Sequence, residues 1–432
     1  MEDLIFTKDN MPDIRVPFLT EKQRAFTISE KGKRQKLRGP AGSGKSLIIA
    51  GRAVECFRRT RSKVLLLYVN DIMVPYTAGN IIKYAHDEDE KKMLSENIEI
   101  MTIYDFILRS VKEISLKNKM VHPHELIDKN IELLYTHKNL IGKDRLYECV
   151  LTDDVQDYEY NWLECIYDLF FNKSGEWFSA GDENQNVYKR MMIPGSDPIS
   201  GCYSQPAVNH VSEAWAEIKE THRLPPVITE LANSFKKQFL YEYKQESISC
   251  FEGAHDEPPV SGDVSYRSLN KKSDAADICK TIISMTETEN SLPEDMVILS
   301  DDIKLLKEMH HIYKNICSDS VILTETKDED LMIIENAKKI EDVKRNKYLE
   351  DERCKIRRDK LKNYSKETGN VIFCPLKEYK GMEAETVFLV ISDNELGELS
   401  DEVVYTGITR AKKCLVVINM NIKYDVFFKE YE

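Results

Sequence analysis

Short apolar runs recur along the first 225 residues, and the stretches between them carry apolar positions at helical spacing. Val64–Val69 reads Val-Leu-Leu-Leu-Tyr-Val, a continuous run that predicts a strand buried on both faces, as in a parallel sheet. Gln35–Arg38, Ile98–Met101, Glu148–Thr152 and Trp177–Ala180 predict further short strands, with helices at Ser46–Arg58 and His122–Lys138. Strands alternating with helices predict a parallel sheet covered on both faces. The alternation restarts after Pro225-Pro226 with a helix at Val227–Tyr243 and a loop rich in Gly, Pro and acid at Gly253–Gly262. Strands follow at Val264–Tyr266, Met296–Ser300, Val321–Thr324, Val371–Cys374, Thr386–Ile391 and Leu415–Asn419, which predicts a second α/β domain. Lys327–Lys366 interrupts it with dense mixed charge, for example Lys344-Arg345-Asn346-Lys347. Interspersed charges predict a solvated helix or helical hairpin, and a strand-contacting insertion is the other reading.

Composition narrows the class. A chain of 432 residues allows two to three domains at ~150 residues each. With 42% hydrophobic and 31% charged residues, a collagen-like, disordered or disulfide-scaffold chain is excluded. No run of ~18 apolar residues predicts a membrane span, and Met1-Glu2-Asp3-Leu4-Ile5 does not read as the start of a secretory leader. Ten Cys without a Cys-x-x-Cys pair predict reduced thiols and a cytoplasmic location. A net charge of −13 argues against coating nucleic acid by bulk charge, but a local groove can still grip a strand.

Gly39-Pro40-Ala41-Gly42-Ser43-Gly44-Lys45-Ser46 fits G-x-x-x-x-G-K-[ST]. Glycines let the backbone wrap a phosphate and aim N–H groups at it, and a helix starting near Ser46 adds its positive end. In this pattern Lys45 reaches the β/γ-phosphates and the Ser46 hydroxyl binds Mg2+. Val150-Leu-Thr-Asp153-Asp154-Val-Gln156-Asp157 is the second element. A carboxylate leaving a buried strand beside a phosphate loop is where Mg2+ is held, which assigns Asp153 to the metal. Its neighbour Asp154 can orient or deprotonate the attacking water. Without the phosphate loop, the pair would read as an N-cap. ATP and Mg2+ are therefore the expected cofactors.

Together these segments resemble the UvrD/Rep type of superfamily 1 helicases, in that family's order, from about residue 18 to 420. Thr20-Glu-Lys-Gln23 resembles the Q motif, implying that Gln23 binds the adenine edge. Gly39–Ser46 corresponds to motif I and Asp153–Asp157 to motif II. Leu66–Asn70 and Ile100-Met101-Thr102 resemble motifs Ia and Ib, implying strand contacts at Asn70 and Thr102. Ala180-Gly-Asp182-Glu-Asn-Gln185-Asn-Val-Tyr188 resembles motif III, with Gln185 sensing the γ-phosphate and Tyr188 and Arg190 at the strand. Glu220-Thr-His222-Arg223 resembles motif IV, with His222 at the adenine and Arg223 aimed at the γ-phosphate. Tyr379-Lys-Gly381-Met-Glu383 resembles motif V, placing Gly381 and Glu383 at the nucleotide, the Glu on the ribose. Val404–Lys412 resembles motif VI, with Arg410 as the arginine finger. The resemblance implies an α/β fold of two RecA-like P-loop NTPase domains, residues 1–222 and 223–432. Each would carry a small helical insertion, at about 103–146 in the first and about 326–368 in the second, where the family has its large accessory domains. ATP would lie between the domains, whose closing and opening step a single strand.

Several positions depart from the family. Asp154 replaces a Glu, His222 an aromatic, Arg190 a stacking Trp, and Pro375 and Lys377 a strand-touching Thr and His. The nucleotide motifs are thus better kept than the strand motifs. The expected function is an ATP-dependent helicase or translocase on single-stranded nucleic acid, DNA rather than RNA. Its setting would be a repair or anti-phage complex with a protein partner such as a nuclease, and no membrane. The other readings are an ATP-dependent switch that regulates a protein partner without stepping, and an RNA-directed motor. Glu217-Ile-Lys219 and Glu378-Tyr-Lys380 resemble nuclease E-x-K pairs, but neighbouring helicase motifs already account for them. His122, His124, His310 and His311 are expected at the surface, Trp162 in the core, and Lys31–Arg38 as a solvated strand entry or a groove lining.

Overall fold

The structure, a computed structural model, describes residues 19–114, 127–190, 215–240, 248–250, 262–269, 274–289, 292–317, 319–340, 342–364, 369–393 and 399–431. The chain divides into two compact units, with the division between Thr221 and His222.

In the first unit α1 (Glu21–Thr27) leads to β1 (Arg34–Arg38), α2 (Lys45–Thr60), β2 (Val64–Tyr68), α3 (Met73–Lys83), α4 (Glu88–Asn97) and β3 (Ile98–Thr102). Next come α5 (Ile103–Ile114), α6 (Ile127–Thr136), β4 (Tyr147–Thr152), α7 (Tyr160–Phe170), β5 (Phe171–Gly181) and β6 (Trp215–Glu217). The six strands form one parallel sheet in the order β3-β2-β4-β5-β1-β6. Side chains of β2 alternate between faces. Leu65 and Leu67 join Phe106 and Ile107 of α5, Ile131 and Leu134 of α6 and Ile166 of α7. Tyr68 points the other way, and its hydroxyl accepts from Thr77 of α3. Both faces are covered, so the whole of β2 is apolar and buried. Burying each such Leu or Ile contributes roughly 1.5–3 kcal/mol. A fully buried ion pair, Arg52 of α2 with Glu176 of β5 at 2.7 Å, ties the loop-bearing helix to the sheet. Arg59 and Ser29 satisfy the second carboxylate oxygen, which keeps the buried charge compensated. Parallel strands deliver their following loops to one edge, so the loops after β1, β4 and β5 meet there.

Two short strands, β7 (Glu220–Thr221) and β8 (Ser249–Cys250), lie outside the large sheets. The second unit contains α8 (Pro226–Phe239), β9 (Asp263–Ser268), α9 (Ala275–Glu289), β10 (Met296–Ser300), α10 (Ile303–Cys317) and β11 (Ser320–Ile322). It continues with α11 (Lys327–Ala337), α12 (Asp342–Lys362), β12 (Val371–Pro375), β13 (Ala384–Ile391), α13 (Asp401–Ile408), β14 (Ala411–Asn419) and α14 (Ile422–Phe428). Its sheet is also parallel and six-stranded, in the order β11-β12-β10-β13-β14-β9. Ile298, Phe373, Phe388 and Val416 pack with Ile278 and Ile282 of α9 and Leu306 and Met309 of α10. On the opposite face a Cβ added to Gly407 of α13 would come 2.6 Å from Leu389, so glycine sets that close approach. Two parallel sheets sandwiched by helices, one per unit, give the α/β, RecA-like fold.

The mixed-charge run folds as two helices, α11 and α12, with residues 341 and 365–366 outside the described residues. Thr326 and Glu329 cap α11 reciprocally. Buried Glu325 pairs with Lys307 at 2.5 Å and Arg357 at 3.5 Å, while Lys360 pairs with Glu329 and Arg353 with Asp330, each at 2.7 Å. Burial alone would raise the Glu325 pKa, but the Lys307 contact and its other partners hold it below its ordinary value. The charges of these helices are thus partly turned inward as ion pairs.

Some element ends differ from expectation. The strand expected at Val321–Thr324 is Ser320–Ile322, because the Thr324 hydroxyl donates to Glu325 and its carbonyl accepts from Lys360. The helix expected from His122 runs Ile127–Thr136, with a 3-10 turn at Lys138–Leu140, and 122–126 lie outside the described residues. The helix from Val227 ends at Phe239, and residues 241–243 are also outside, as is the loop from Gly253 to residue 261. His310 corrects a surface expectation: it is 4% exposed and meets Phe373 edge-on, with ring centroids 5.3 Å apart. His311 is exposed, and His122 and His124 lie outside the described residues.

Candidate functional site

The loop from Gly39 to Ser46 joins β1 to α2. Gly42 and Gly44 have φ of 75° and 85°, the left-handed region that only glycine enters without strain. A Cβ on Gly44 would also come 2.6 Å from Gln23 Nε2. Gln23 Nε2 donates to Ser43 O at 3.0 Å, which fastens the residue expected at an adenine edge to the loop. Thr221 Oγ1 donates to Ala41 O at 2.9 Å and braces the loop beside Pro40. The Lys45 ammonium lies within the loop and donates to Gly39 O at 2.7 Å and Pro40 O at 3.0 Å. Ser43 is fully buried, and its hydroxyl has no hydrogen-bond partner among the described residues. An orphaned hydroxyl beside an inward-held ammonium and a glycine backbone fits a phosphate.

Ser46, in the first turn of α2, donates through Oγ to Asp153 Oδ2 at 2.7 Å. Asp153 is buried, which raises its carboxyl to about 6, and the Asp154 charge adds to the rise against the Ser46 hydrogen bond and Lys45. Two hard oxygens meeting beside a phosphate loop are a donor set suited to Mg2+, whose charge would offset the buried carboxylates. Asp154 has φ of 48°. Left-handed backbone at a non-glycine residue is strained and concentrates at functional positions. A hydrogen-bond chain leads onward from it. Gln156 Nε2 donates to Asp154 Oδ1 at 3.0 Å, Gln156 Oε1 accepts from the Asp182 N–H at 3.0 Å, and Asp182 Oδ2 accepts from Gln185 Nε2 at 2.6 Å. The chain brings Asp154 and Gln185 into one network through two residues that sequence reasoning gave no role, Gln156 and Asp182. Both lie inside the motif segments, but nothing in their type announces a bridge. Arg38 at the end of β1 pairs with buried Glu183 at 2.5 Å and lies 5.3 Å from the Trp215 ring, so the basic strand entry is partly engaged.

In the second unit Arg223 Nε lies 2.6 Å from Glu383 Oε2, and Lys412 lies 4.0 Å from the same carboxylate and 2.6 Å from Glu385. His222 is exposed. Gly381 has φ of 89°, a turn that glycine permits. Arg410 is 1% exposed. Its guanidinium donates to Thr406 O at 2.9 Å, Met382 O at 3.3 Å and Thr409 Oγ1 at 2.9 Å. The residue expected as a finger is therefore folded into its own unit.

The expected strand residues do not present one open face. Asn70 is buried and accepts through Oδ1 from the Ile72 N–H at 3.3 Å, just before α3. Thr102 is fully buried and accepts from the Asp105 N–H at 3.2 Å in the first turn of α5. Tyr188 packs half-buried against the sheet cluster. The Arg190 guanidinium lies 4.5 Å from the Tyr188 ring centroid and 5.0 Å from that of Trp162, and donates to the Tyr104 hydroxyl at 2.8 Å. Trp162 is core, as expected. Lys377 is partly exposed in the 3-10 turn after β12.

Residues 305–419 match the family model described as the viral superfamily 1 RNA helicase core domain. The matched stretch holds Gly381, Glu383 and Arg410 and excludes the Gly39–Ser46 loop. No curated protein matches the sequence significantly. Among solved structures, the chain is similar to arterivirus nonstructural protein 10, a helicase, in complex with DNA. The TM-score is 0.40 at 10% identity, over 94% of this chain and 65% of that one. Another structure of arterivirus nonstructural protein 10 gives a TM-score of 0.37 at 11% identity, over 95% of this chain and 64% of that one. The chain thus spans a little under two thirds of the length of these helicases.

Proposed function

We propose that the chain is an ATP-dependent superfamily 1 helicase or translocase acting on single-stranded nucleic acid, with 1–222 and 223–432 as its two motor domains. The observation that carries this reading is the 2.7 Å Ser46–Asp153 contact beside a glycine loop that already holds the Lys45 ammonium. In this reading Lys45 exchanges the Gly39 and Pro40 carbonyls for β/γ-phosphate oxygens, and backbone N–H groups of Gly42, Ser43 and Gly44 face the same phosphates. Ser46 and Asp153 hold Mg2+, which supplies positive charge to the phosphates when bound. Asp154 takes the proton of the attacking water, and Gln185, joined to it through Gln156 and Asp182, reads the γ-phosphate. Arg223 and Arg410 neutralise charge on the transferring phosphoryl group. Gln23, His222, Gly381 and Glu383 bind the remainder of the nucleotide. Tyr188, Arg190 and Lys377 are the strand side of the proposal, while Asn70 and Thr102, both buried, are corrected from strand contacts to local structural roles.

The UvrD/Rep-like motif order favours DNA, whereas the matched family model is one of RNA helicases. A cytoplasmic location, a partner such as a nuclease, and a repair or anti-phage setting belong to the same proposal. The test is the ATPase rate alone and with single-stranded DNA or RNA. Stimulation identifies a strand motor and its preferred strand. The switch reading keeps one specific support: Asn70 closes a turn before α3, Thr102 accepts from the first turn of α5, and Arg190 is held by aromatic rings. ATP hydrolysis that no strand stimulates would favour that switch and overturn stepping.

A further inference from the structure

We propose that Cys56 and Cys149 are an oxidation site, a buried thiol pair whose reversible disulfide ties α2 to β4. The helix packs on that strand, and the two Sγ atoms lie within 4.8 Å of each other. Neither cysteine is in a disulfide. A bonded pair needs about 2.05 Å between sulfurs, so they close by at most about 3 Å, a movement within reach of side-chain rotation. Glu176 joins the two sulfurs in a cluster of metal-ligand types, but its carboxylate is already taken. One oxygen accepts from Arg52 Nε at 2.7 Å, and the other from Arg59 at 2.9 Å, Ser29 Oγ at 2.6 Å and the Glu30 N–H at 3.1 Å. Two guanidinium groups at one carboxylate oppose a cation there, whereas they suit a neighbouring sulfur that gains negative charge during attack.

The two thiols are not equivalent. Cys149 Sγ accepts from the Arg59 guanidinium at 3.5 Å, and Cys56 Sγ accepts from Ser29 Oγ at 3.4 Å. Burial, with Cys149 beside it, holds the Cys56 thiol well above its ordinary value. The first attack therefore falls to Cys149. Its sulfur takes one oxygen of hydrogen peroxide, the O–O bond breaks, and the other oxygen leaves as water with the thiol proton, giving a sulfenic acid. Cys56 then attacks that sulfur, the S–O bond breaks, and a second water leaves with the Cys56 proton. Two thiols are oxidised to one disulfide, and one peroxide is reduced to two waters. Both sulfurs are fully buried, but Arg59 is 28% exposed and Ser29 is partly exposed, so a molecule the size of peroxide is one side chain away from the pair. The disulfide joins the two elements that carry the proposed Mg2+ pair, since Ser46 lies in the first turn of α2 and Asp153 directly follows β4. That consequence rests on the ATPase reading above, whereas the disulfide itself does not.

The experiment treats the reduced full chain with hydrogen peroxide, caps the remaining thiols and maps the peptides by mass spectrometry. A peptide pair joined through Cys56 and Cys149 is expected, and dithiothreitol should part it. A bulky aromatic disulfide reagent should leave both thiols reduced. Cys56→Ala should stop the sequence at a sulfenic acid on Cys149, trapped by dimedone, and the wild-type map decides the matter if this variant does not fold. The partly exposed Cys317 and Cys354 serve as controls. Their oxidation with Cys56 and Cys149 still reduced, or a Cys56–Cys149 link that forms only in urea, would overturn the proposal. The cross-linked chain should hydrolyse Mg2+-ATP about tenfold or more slowly and recover with dithiothreitol, because a ~1 Å misplacement at a reacting centre costs on the order of 10² in rate. Cross-linking without that loss would overturn the coupling to the nucleotide site. A reduced chain that hydrolyses no ATP would count against the ATPase reading alone, since the peptide map uses no ATP.

Discussion

The proposed phosphate groups of the first unit stand on a glycine-shaped loop, whereas the arginines proposed in the second are engaged with carbonyls and side chains of their own unit. In the first unit, left-handed Gly42 and Gly44 shape the loop, and Ser46 already touches Asp153. There Lys45 trades two loop carbonyls for phosphate oxygens, and Ser46 and Asp153 already meet where a hard cation would enter. In the second unit, Arg223 is paired with Glu383 and Arg410 is buried on Thr406, Met382 and Thr409. These arginines must trade existing contacts before they can serve a phosphate. On the function proposed above, this difference means that the binding groups of the first unit are prebuilt and the arginines of the second are held back.

Breaking the prebuilt side should have the largest effect. Lys45→Ala should lower ATP turnover by ~10³ or more, since a backbone cradle cannot replace the ammonium, and a steady-state ATPase assay checks it. Arg410→Ala comes next, with turnover down by ~10³. Because its guanidinium is buried and hydrogen-bonded, this variant should also lose about 2–4 kcal/mol of stability in a denaturant melt. Arg223→Ala sharpens the contrast, because its less buried pair with Glu383 should be worth only about 1 kcal/mol to the fold. Equal melts for the two arginine variants would mean that Arg410 is not held as described. Removing Tyr188 and Arg190 together should weaken strand binding by about 1–3 kcal/mol per stacked base, measured by anisotropy across salt. A large loss of stability with unchanged strand affinity would make Tyr188 a core residue instead.

The smallest effect concerns pH. The folded His310 pKa of about 4 lies below its ordinary 6.5. As pH falls, the unfolded chain takes up that proton first, so His310 leaves stability intact above about pH 6.5 and withdraws it as pH drops towards 4. The groups around it, Lys314, Lys360 and His311, push the same way, and only the Ser320 backbone opposes. The loss should be on the order of 2 kcal/mol, and His310→Gln should flatten the melt-versus-pH curve across that window.

What could be read from the sequence follows the same division. Val64–Tyr68 and the Gly39–Ser46 loop were legible because a strand buried on both faces and a phosphate loop each need residue types at fixed local spacing. The Gln156–Asp182 bridge was not, since it joins a turn after β4 to one after β5 across the sheet. The burial of Arg410 was hidden for a similar reason: one of its partners, Met382, lies 28 residues away. His310 could have been found. It follows Leu306 by four residues and Met309 by one on α10, which places it on the inward stripe, with His311 turned outward. Asn70 and Thr102 were placed by resemblance, and their local roles, a turn before α3 and a bond to the first turn of α5, depend on where those helices begin.

The most direct test of the prebuilt-versus-held-back account is a side-by-side titration of Mg2+-ATP into the wild type, Lys45→Ala, Arg223→Ala and Arg410→Ala. The account predicts that both arginine variants bind within about threefold of the wild type while turnover falls, and that Lys45→Ala alone loses affinity by about tenfold or more. Affinity lost as strongly in Arg410→Ala as in Lys45→Ala, with both variants still folded, would contradict it.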